Sequence, residues 1–288
     1  RAIEGIGQSG VASYSYAIVG VEQGEDARNW IEVPSTAENW SFTKNIPTGE
    51  EPLAEGKYTL YVKAKDKAGN ESSVVSRNFD VDLAAPSVAV SLSSGTRATT
   101  EYFDSSFNLV GTIADSNGIA SVVVKINGEG TPIVEETPNS TSYSLNKEIT
   151  VNETDGIIKA DGTYNFEVTV TDKVGKTTTK TLSAIVDTKA PTVEFKSHAN
   201  GNIVTTVPFV IEGTVSDAGS GISTEGGTFV LKQGETVIQS GALTVQANGM
   251  WTQEIGKNDT GSLMTTEGDY AIQVSLNDKA GKSSTETV

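Results

Sequence analysis

Seven-residue runs in which every second position is apolar recur along the chain: "YTLYVKA" (58–64), "YNFEVTV" (164–170) and "YAIQVSL" (270–276). One face of each holds Tyr58, Leu60, Val62 and Ala64, or Tyr164, Phe166, Val168 and Val170, or Tyr270, Ile272, Val274 and Leu276. A period of two sustained over seven residues predicts a β-strand with one buried face. Each run passes into Asp-Lys-(Ala/Val)-Gly-(Asn/Lys), where Gly accepts a positive φ and Asp can bond its own backbone, which predicts a tight turn. A further strand follows, "SVVSRNFDVD" (73–82) and "TTKTLSAIVD" (178–187), so the unit is a β-hairpin.

Asp66, Asp172 and Asp278 are separated by 106 and 106 residues, as are Tyr58, Tyr164 and Tyr270. Such regularity marks a structural unit copied in tandem. Upstream, "GTIADSNGIASVVVKING" (111–128) matches "GTVSDAGSGISTEGGTFVLKQG" (213–234), and "SGVASYSYAIVG" (9–20) matches their later part. In each, a Gly-rich bend leads into an alternating strand. "WSFTKNI" (40–46), "YSLNKEI" (143–149) and "MWTQEI" (250–255) add one more strand per copy, with Phe42, Leu145 and Trp251 at equivalent core sites and Trp40 exposed.

The joints read "VDLAAPSVAV" (81–90) and "VDTKAPTVEF" (186–195), with three residues between Asp and Pro. Pro tolerates the first position of a strand, so Pro86 and Pro191 begin new units. The expected modules are 1–84, 85–190 and 191–288. The first is short of its opening strand and the third of its closing Val-Asp, so the segment reads as part of a longer array. Three linking residues reach only about 10 Å, so neighbours are expected nearly end to end.

The 29 Gly, the frequent short apolar runs and the absence of any stretch near 18–20 apolar residues exclude a helical or membrane-spanning chain of the usual kind. Net charge is −16, spread as −5, −5 and −6 over the three modules. With no basic module, nucleic acid is excluded as a partner. An evenly acidic surface favours solubility and divalent cations. Zero cysteines removes disulfides from the account but does not place the chain inside a cell.

The repeated Y-x-x-x-V-x-A-x-D-x-A-G-N-x-S pattern, the D-x-x-A-P joint and the "SD…SGI" bend together resemble the tandem bacterial immunoglobulin-like domains of large surface proteins and adhesins, over essentially all of the chain. The resemblance implies an all-β fold of three tandem immunoglobulin-like β-sandwich domains arranged as an elongated rod. "AEGKY" (54–58), "ADGTY" (160–164) and "TEGDY" (266–270) are similar to the tyrosine corner of such sandwiches. The first copy departs at its bend, with Ile6 or Gly7 where the others have Asp115 and Asp217.

No catalytic motif is present: the lone His198 sits in a polar turn, and the acids recur with the repeat, whereas active sites rarely come in triplicate. In a sandwich of this kind the bend, the last hairpin and the joint meet at one end. Asp82 is therefore expected to approach Asp115 and Asp172, and Asp187 to approach Asp217 and Asp278. Three carboxylates with backbone carbonyls suit Ca2+, and the resemblance carries the same implication, since related adhesin arrays hold Ca2+ at their joints. The competing reading is that these Asp residues only shape their turns. Trp30 and Trp40 are candidate sugar-stacking residues.

The expected function is a non-enzymatic stalk or adhesive segment, extracellular or on a bacterial surface. Its expected partners are neighbouring repeats and a host or surface protein or glycan. A carbohydrate-binding accessory to a secreted polysaccharide-active enzyme and an extracellular filament subunit are the alternatives.

Overall fold

In the computed structural model, residues 10–24, 27–34, 53–93, 101–256 and 266–288 are described. Their regular structure is β-strand, apart from one three-residue 3-10 turn at Val21–Gln23. The first stretch supplies β1 (Val11–Gly20), β2 (Ile31–Pro34), β3 (Gly56–Asp66) and β4 (Val75–Val81), in one antiparallel sheet of order β2-β1-β3-β4. The hairpin β3–β4 pairs Tyr58 with Phe79 and Val62 with Val75. Val11, Tyr14, Ala17, Val19 and Val81 are buried on this sheet. Residues 58–64, expected to show one buried face, are all half-buried, with no alternation. The strand expected at 40–46, with Trp40 and Phe42, lies outside the described residues.

The second stretch holds β5 (Ser87–Ser93), β6 (Tyr102–Phe103), β7 (Phe107–Ala114), β8 (Ile119–Ile126), β9 (Glu129–Glu136), β10 (Ser142–Ile149), β11 (Gly162–Asp172) and β12 (Thr177–Val186). They form a three-stranded sheet, β10-β7-β5, and a five-stranded sheet, β6-β12-β11-β8-β9. Both sheets feed one core containing Leu109, Ile113 and Leu145 from the first and Val122, Phe166 and Val168 from the second. Phe103 stacks on Phe107 at 3.9 Å between ring centres, and Phe107 meets Phe166 edge-on at 5.8 Å. Full burial of each such ring stabilises the fold by about 2–3 kcal/mol.

The third stretch repeats the plan with β13 (Thr192–Phe195), β14 (Phe209–Ser216), β15 (Gly227–Gln233), β16 (Thr236–Leu243), β17 (Met250–Ile255), β18 (Ala271–Asn277) and β19 (Ser283–Thr287). The sheets are β13-β14-β17 and β16-β15-β18-β19. Trp251 is fully buried between them, edge-on to Phe195 at 5.2 Å. Pro86 and Pro191 stand immediately before β5 and β13, where the missing N–H of proline costs no ladder bond.

All three tyrosines close the expected corner. The hydroxyls of Tyr58, Tyr164 and Tyr270 donate to the carbonyls of Ala54, Ala160 and Thr266, at 3.0, 2.7 and 2.8 Å. One element was not foreseen. The two-residue β6 pairs in parallel with the end of β12, Tyr102 opposite Ile185 and Phe103 opposite Val186. The chain entering through β5 in one sheet thus reappears in the other, beside the residue that begins the second joint.

Candidate functional site

The alternation that builds the core also delivers the acids. Along β11, Phe166, Val168 and Val170 are buried at every second position, and Asp172 is the next residue on that face. Along β18, Ile272, Val274 and Leu276 lead in the same way to Asp278. Asp172 and Asp278 are 1% and 2% exposed, burial that carboxylates reach rarely without a partner. Val81 and Val186 are buried at the ends of β4 and β12, and the next residues are Asp82 and Asp187. The bends after β7 and β14 supply Asp115 and Asp217.

The structure brings the six together as two triads, Asp82–Asp115–Asp172 and Asp187–Asp217–Asp278, each offering one carboxylate oxygen per residue within 4.8 Å of the others. At that separation two carboxylates repel by about 3–4 kcal/mol per pair at an effective dielectric near 20.

Each acid from the bend or the hairpin uses one oxygen to hold its own turn. Asp115 Oδ1 accepts from the amides of Asn117 and Gly118, at 2.9 and 2.8 Å. Asp172 Oδ1 accepts from Val174 and Lys176, at 2.9 and 2.8 Å. Asp217 Oδ2 accepts from Gly219 and Gly221, and Asp278 Oδ1 from Gly281 and Lys282. The turn-shaping reading therefore accounts for one oxygen of each. The remaining Oδ2 atoms of Asp172 and Asp278 are buried without a hydrogen bond, as are both carboxylate oxygens of Asp82. Asp66, the counterpart in the first stretch, differs: its oxygens accept from the amide and the side chain of Asn70, both at 2.8 Å.

Asp187 is held from both sides, its Oδ2 accepting from the Ser220 amide at 2.6 Å and its Oδ1 from the Lys189 amide at 3.2 Å. Burial pushes its pKa up, but the Ser220 amide and hydroxyl and the Lys189 amide outweigh it, leaving the pKa below the ordinary value. Asp278 moves the other way. Burial first, and then the charges of Asp187 and Asp217, raise its pKa despite two amide hydrogen bonds. A raised carboxyl beside two others marks an excess of negative charge that a cation would relieve.

Contacts across the joints surround both triads. Ser116 donates to Glu55 across the first joint at 2.8 Å, and the joint residue Thr188 is held to its own module by donating its amide and hydroxyl to Asp161, both at 2.9 Å. Lys279 lies 5.7 Å over the Tyr102 ring, and Lys282 Nζ is 3.9 Å from Asp104. The sequence reading missed Asp104 because it follows the unforeseen β6. Lys176 and Lys282 were visible in the repeated turn, but a repeat pattern does not reveal which acid each lysine meets.

Among the described residues, the other sequence candidates stand outside the triads. Trp30 is half-buried with Lys63 Nζ 4.7 Å over its ring, so one stacking face is taken. Trp40 lies outside the described residues. Tyr14, another aromatic of the first stretch, is core. His198 packs 5.1 Å from the Phe209 ring, away from both triads.

The arrangement suits a hard cation. The donors are carboxylate oxygens, with no His or Cys among the triads, which disfavours zinc. Several carboxylates on separate loops match the high coordination number and flexible geometry of Ca2+ better than the strict octahedron of Mg2+.

Family profiles described as "Bacterial Ig-like domain" match residues 12–83, from one family, and 86–188 and 178–287, from a second. No curated protein matches the chain. Among solved structures, the chain is similar to a tetra-tandem repeat in the extending region of a large adhesion protein, with 19% identity over 98% of this chain and 67% of that one, at a TM-score of 0.36. It is also similar to a 1.5-MDa bacterial ice-binding adhesin, with 17% identity over 96% and 84% and a TM-score of 0.33. The fibronectin(III)-like modules of Clostridium thermocellum CbhA share 17% identity over 70% and 92%, with a TM-score of 0.36.

Proposed function

The chain belongs to the bacterial Ig-like domain family, and from that premise we propose that it is a non-catalytic structural array whose acidic joints take up Ca2+ and so set its stiffness. In this reading the modules are 1–84, 85–190 and 191–288, strung as a rod in a stalk or adhesin outside a bacterial cell. Its partners are the neighbouring repeats of the parent protein. Among the described residues no helix is long and apolar enough to cross a membrane.

One observation carries the proposal: the Oδ2 atoms of Asp82, Asp172 and Asp278 are buried without a hydrogen bond and belong to triads of acids. Leaving a buried charged group without a partner costs several kcal/mol, and one divalent cation per triad removes that penalty. Each triad joins the connecting segment to two loops of the following module. A bound ion would tie the linker down and leave the neighbour little freedom to swing.

Calorimetric titration of the chain with CaCl2, with melting curves in CaCl2 and in chelator, tests this reading. Heat of binding and a melting temperature that rises by several degrees are expected, with a weaker response to MgCl2. A chain that shows neither heat nor a shift with Ca2+ overturns it.

A further inference from the structure

The two triads are built alike, yet the lysine that ends each hairpin turn behaves differently. In "DKVGK" (172–176), Lys176 Nζ donates to the Asp82 carbonyl and lies 3.7 Å from Asp82 Oδ1. The Asp82 side chain is 1% exposed, so this ammonium reaches into the buried side of the first triad. In "DKAGK" (278–282), the corresponding Lys282 turns to Asp104, 3.9 Å away on the segment after β6. Among the described residues no ion pair joins Lys282 to the second triad.

From this contrast we infer that Lys176 is a resident cation of the first joint that competes with a metal ion, so the two joints bind Ca2+ with unequal affinity and stiffen in sequence, the second first. The inference rests on the calcium reading above and concerns how this chain's own residues grade it.

The electrostatics favour this order. Three carboxylates give the first triad a charge of −3, which one ammonium reduces to −2. The second triad keeps its −3 and has a fourth acid, Asp104, beside its lysine. The lysine also occupies the Asp82 carbonyl, a hard oxygen of the kind Ca2+ recruits to complete its shell. To admit the ion, Lys176 must leave both contacts, and an ammonium that stayed within about 4 Å would oppose the incoming charge strongly. Its side chain is 35% exposed, so a route into solvent is open. Asp187, by contrast, is held in place by the Ser220 and Lys189 amides, and no ammonium has to leave it.

Titration of single-joint chains with CaCl2 separates the terms of this inference. Asp187→Asn leaves the first joint intact and Asp82→Asn leaves the second, with far-ultraviolet circular dichroism confirming that each variant folds. The expected result is that the Asp187→Asn chain binds Ca2+ at least tenfold more weakly than the Asp82→Asn chain. Adding Lys176→Met to the Asp187→Asn chain should strengthen binding at least fivefold, and adding Lys282→Met to the Asp82→Asn chain should change it less than twofold. Equal affinities at the two joints, or a Lys176→Met variant that binds no better, overturn the inference while leaving the calcium reading standing. Absence of binding in the unsubstituted chain overturns both.

Discussion

Gly219 lies flush against Asp187: a β-carbon built on it would fall 2.3 Å from the Asp187 carboxyl carbon. The approach is that close because the next residue, Ser220, donates its amide to the same carboxylate at 2.6 Å. A methyl group cannot be fitted there unless the bend or the acid moves. Gly219→Ala is expected to destabilise the third module by about 1–3 kcal/mol and to weaken Ca2+ binding at the second joint. Gly20→Ala is the control, since nothing stands nearer than 3.6 Å to the added carbon, and thermal melts of the two variants side by side give the comparison.

Asp278 sets a pH dependence whose sign can be worked out. Its pKa in the folded chain is raised above the ordinary 3.8, by burial and then by Asp187 and Asp217. The folded state therefore holds this proton more tightly than the unfolded state, and stability falls as pH rises from 3.8 through the folded pKa. The lowered Asp187 contributes oppositely, giving stability that is lost only below the ordinary value. In chelator, the Asp278 contribution is expected to raise the melting temperature as pH is lowered toward the ordinary 3.8, and Asp278→Asn should abolish that gain. In saturating Ca2+ the trend should reverse, because the ion requires the charged form.

The tyrosine corners are expected to act on stability alone. Tyr164 donates to the Ala160 carbonyl at 2.7 Å and belongs to neither triad. Tyr164→Phe should lower stability by about 0.5–1.5 kcal/mol and leave Ca2+ affinity unchanged, which denaturant unfolding and calorimetry on the same sample can establish.

Much of this was legible in the sequence because a period of two is a physical statement about faces. The residues that place Phe166, Val168 and Val170 in the core also place Asp172 at its rim, and the tandem spacing repeats the result at Asp278. Pairing these acids with Asp115, Asp217 and the joint Asp residues required only the end-to-end order of a sandwich. What escaped were features decided between elements. The two-residue β6 is too short to show a period, and it pairs in parallel with a strand more than 80 positions away. The half-burial of residues 58–64 likewise depends on what packs over them, not on their own pattern. The partner of each turn lysine depends on whether an acid such as Asp104 has been brought within reach.

The antiparallel pairing of β14 with β13 and β17 offers a test of the core. A β-carbon on Gly213 would stand 2.1 Å from the Trp251 ring and 2.2 Å from the Glu194 carbonyl, so neither side chain nor backbone has room to yield. Gly213→Ala is expected to cost about 3 kcal/mol or more, at the upper end of overpacking penalties. It should also shift the emission of the buried Trp251 toward that of a solvated indole.

The central claim is that cation binding at the joints restricts how neighbouring modules move. The chain has no cysteine, so a pair of spin labels can be placed without background, on Thr181→Cys in β12 and Val237→Cys in β16, both exposed. Pulsed electron–electron double resonance then reads the distribution of distances across the second joint. The account predicts a broad distribution in chelator that narrows in Ca2+, and no narrowing when Asp187→Asn is added. A distribution of the same width with and without Ca2+ would contradict it.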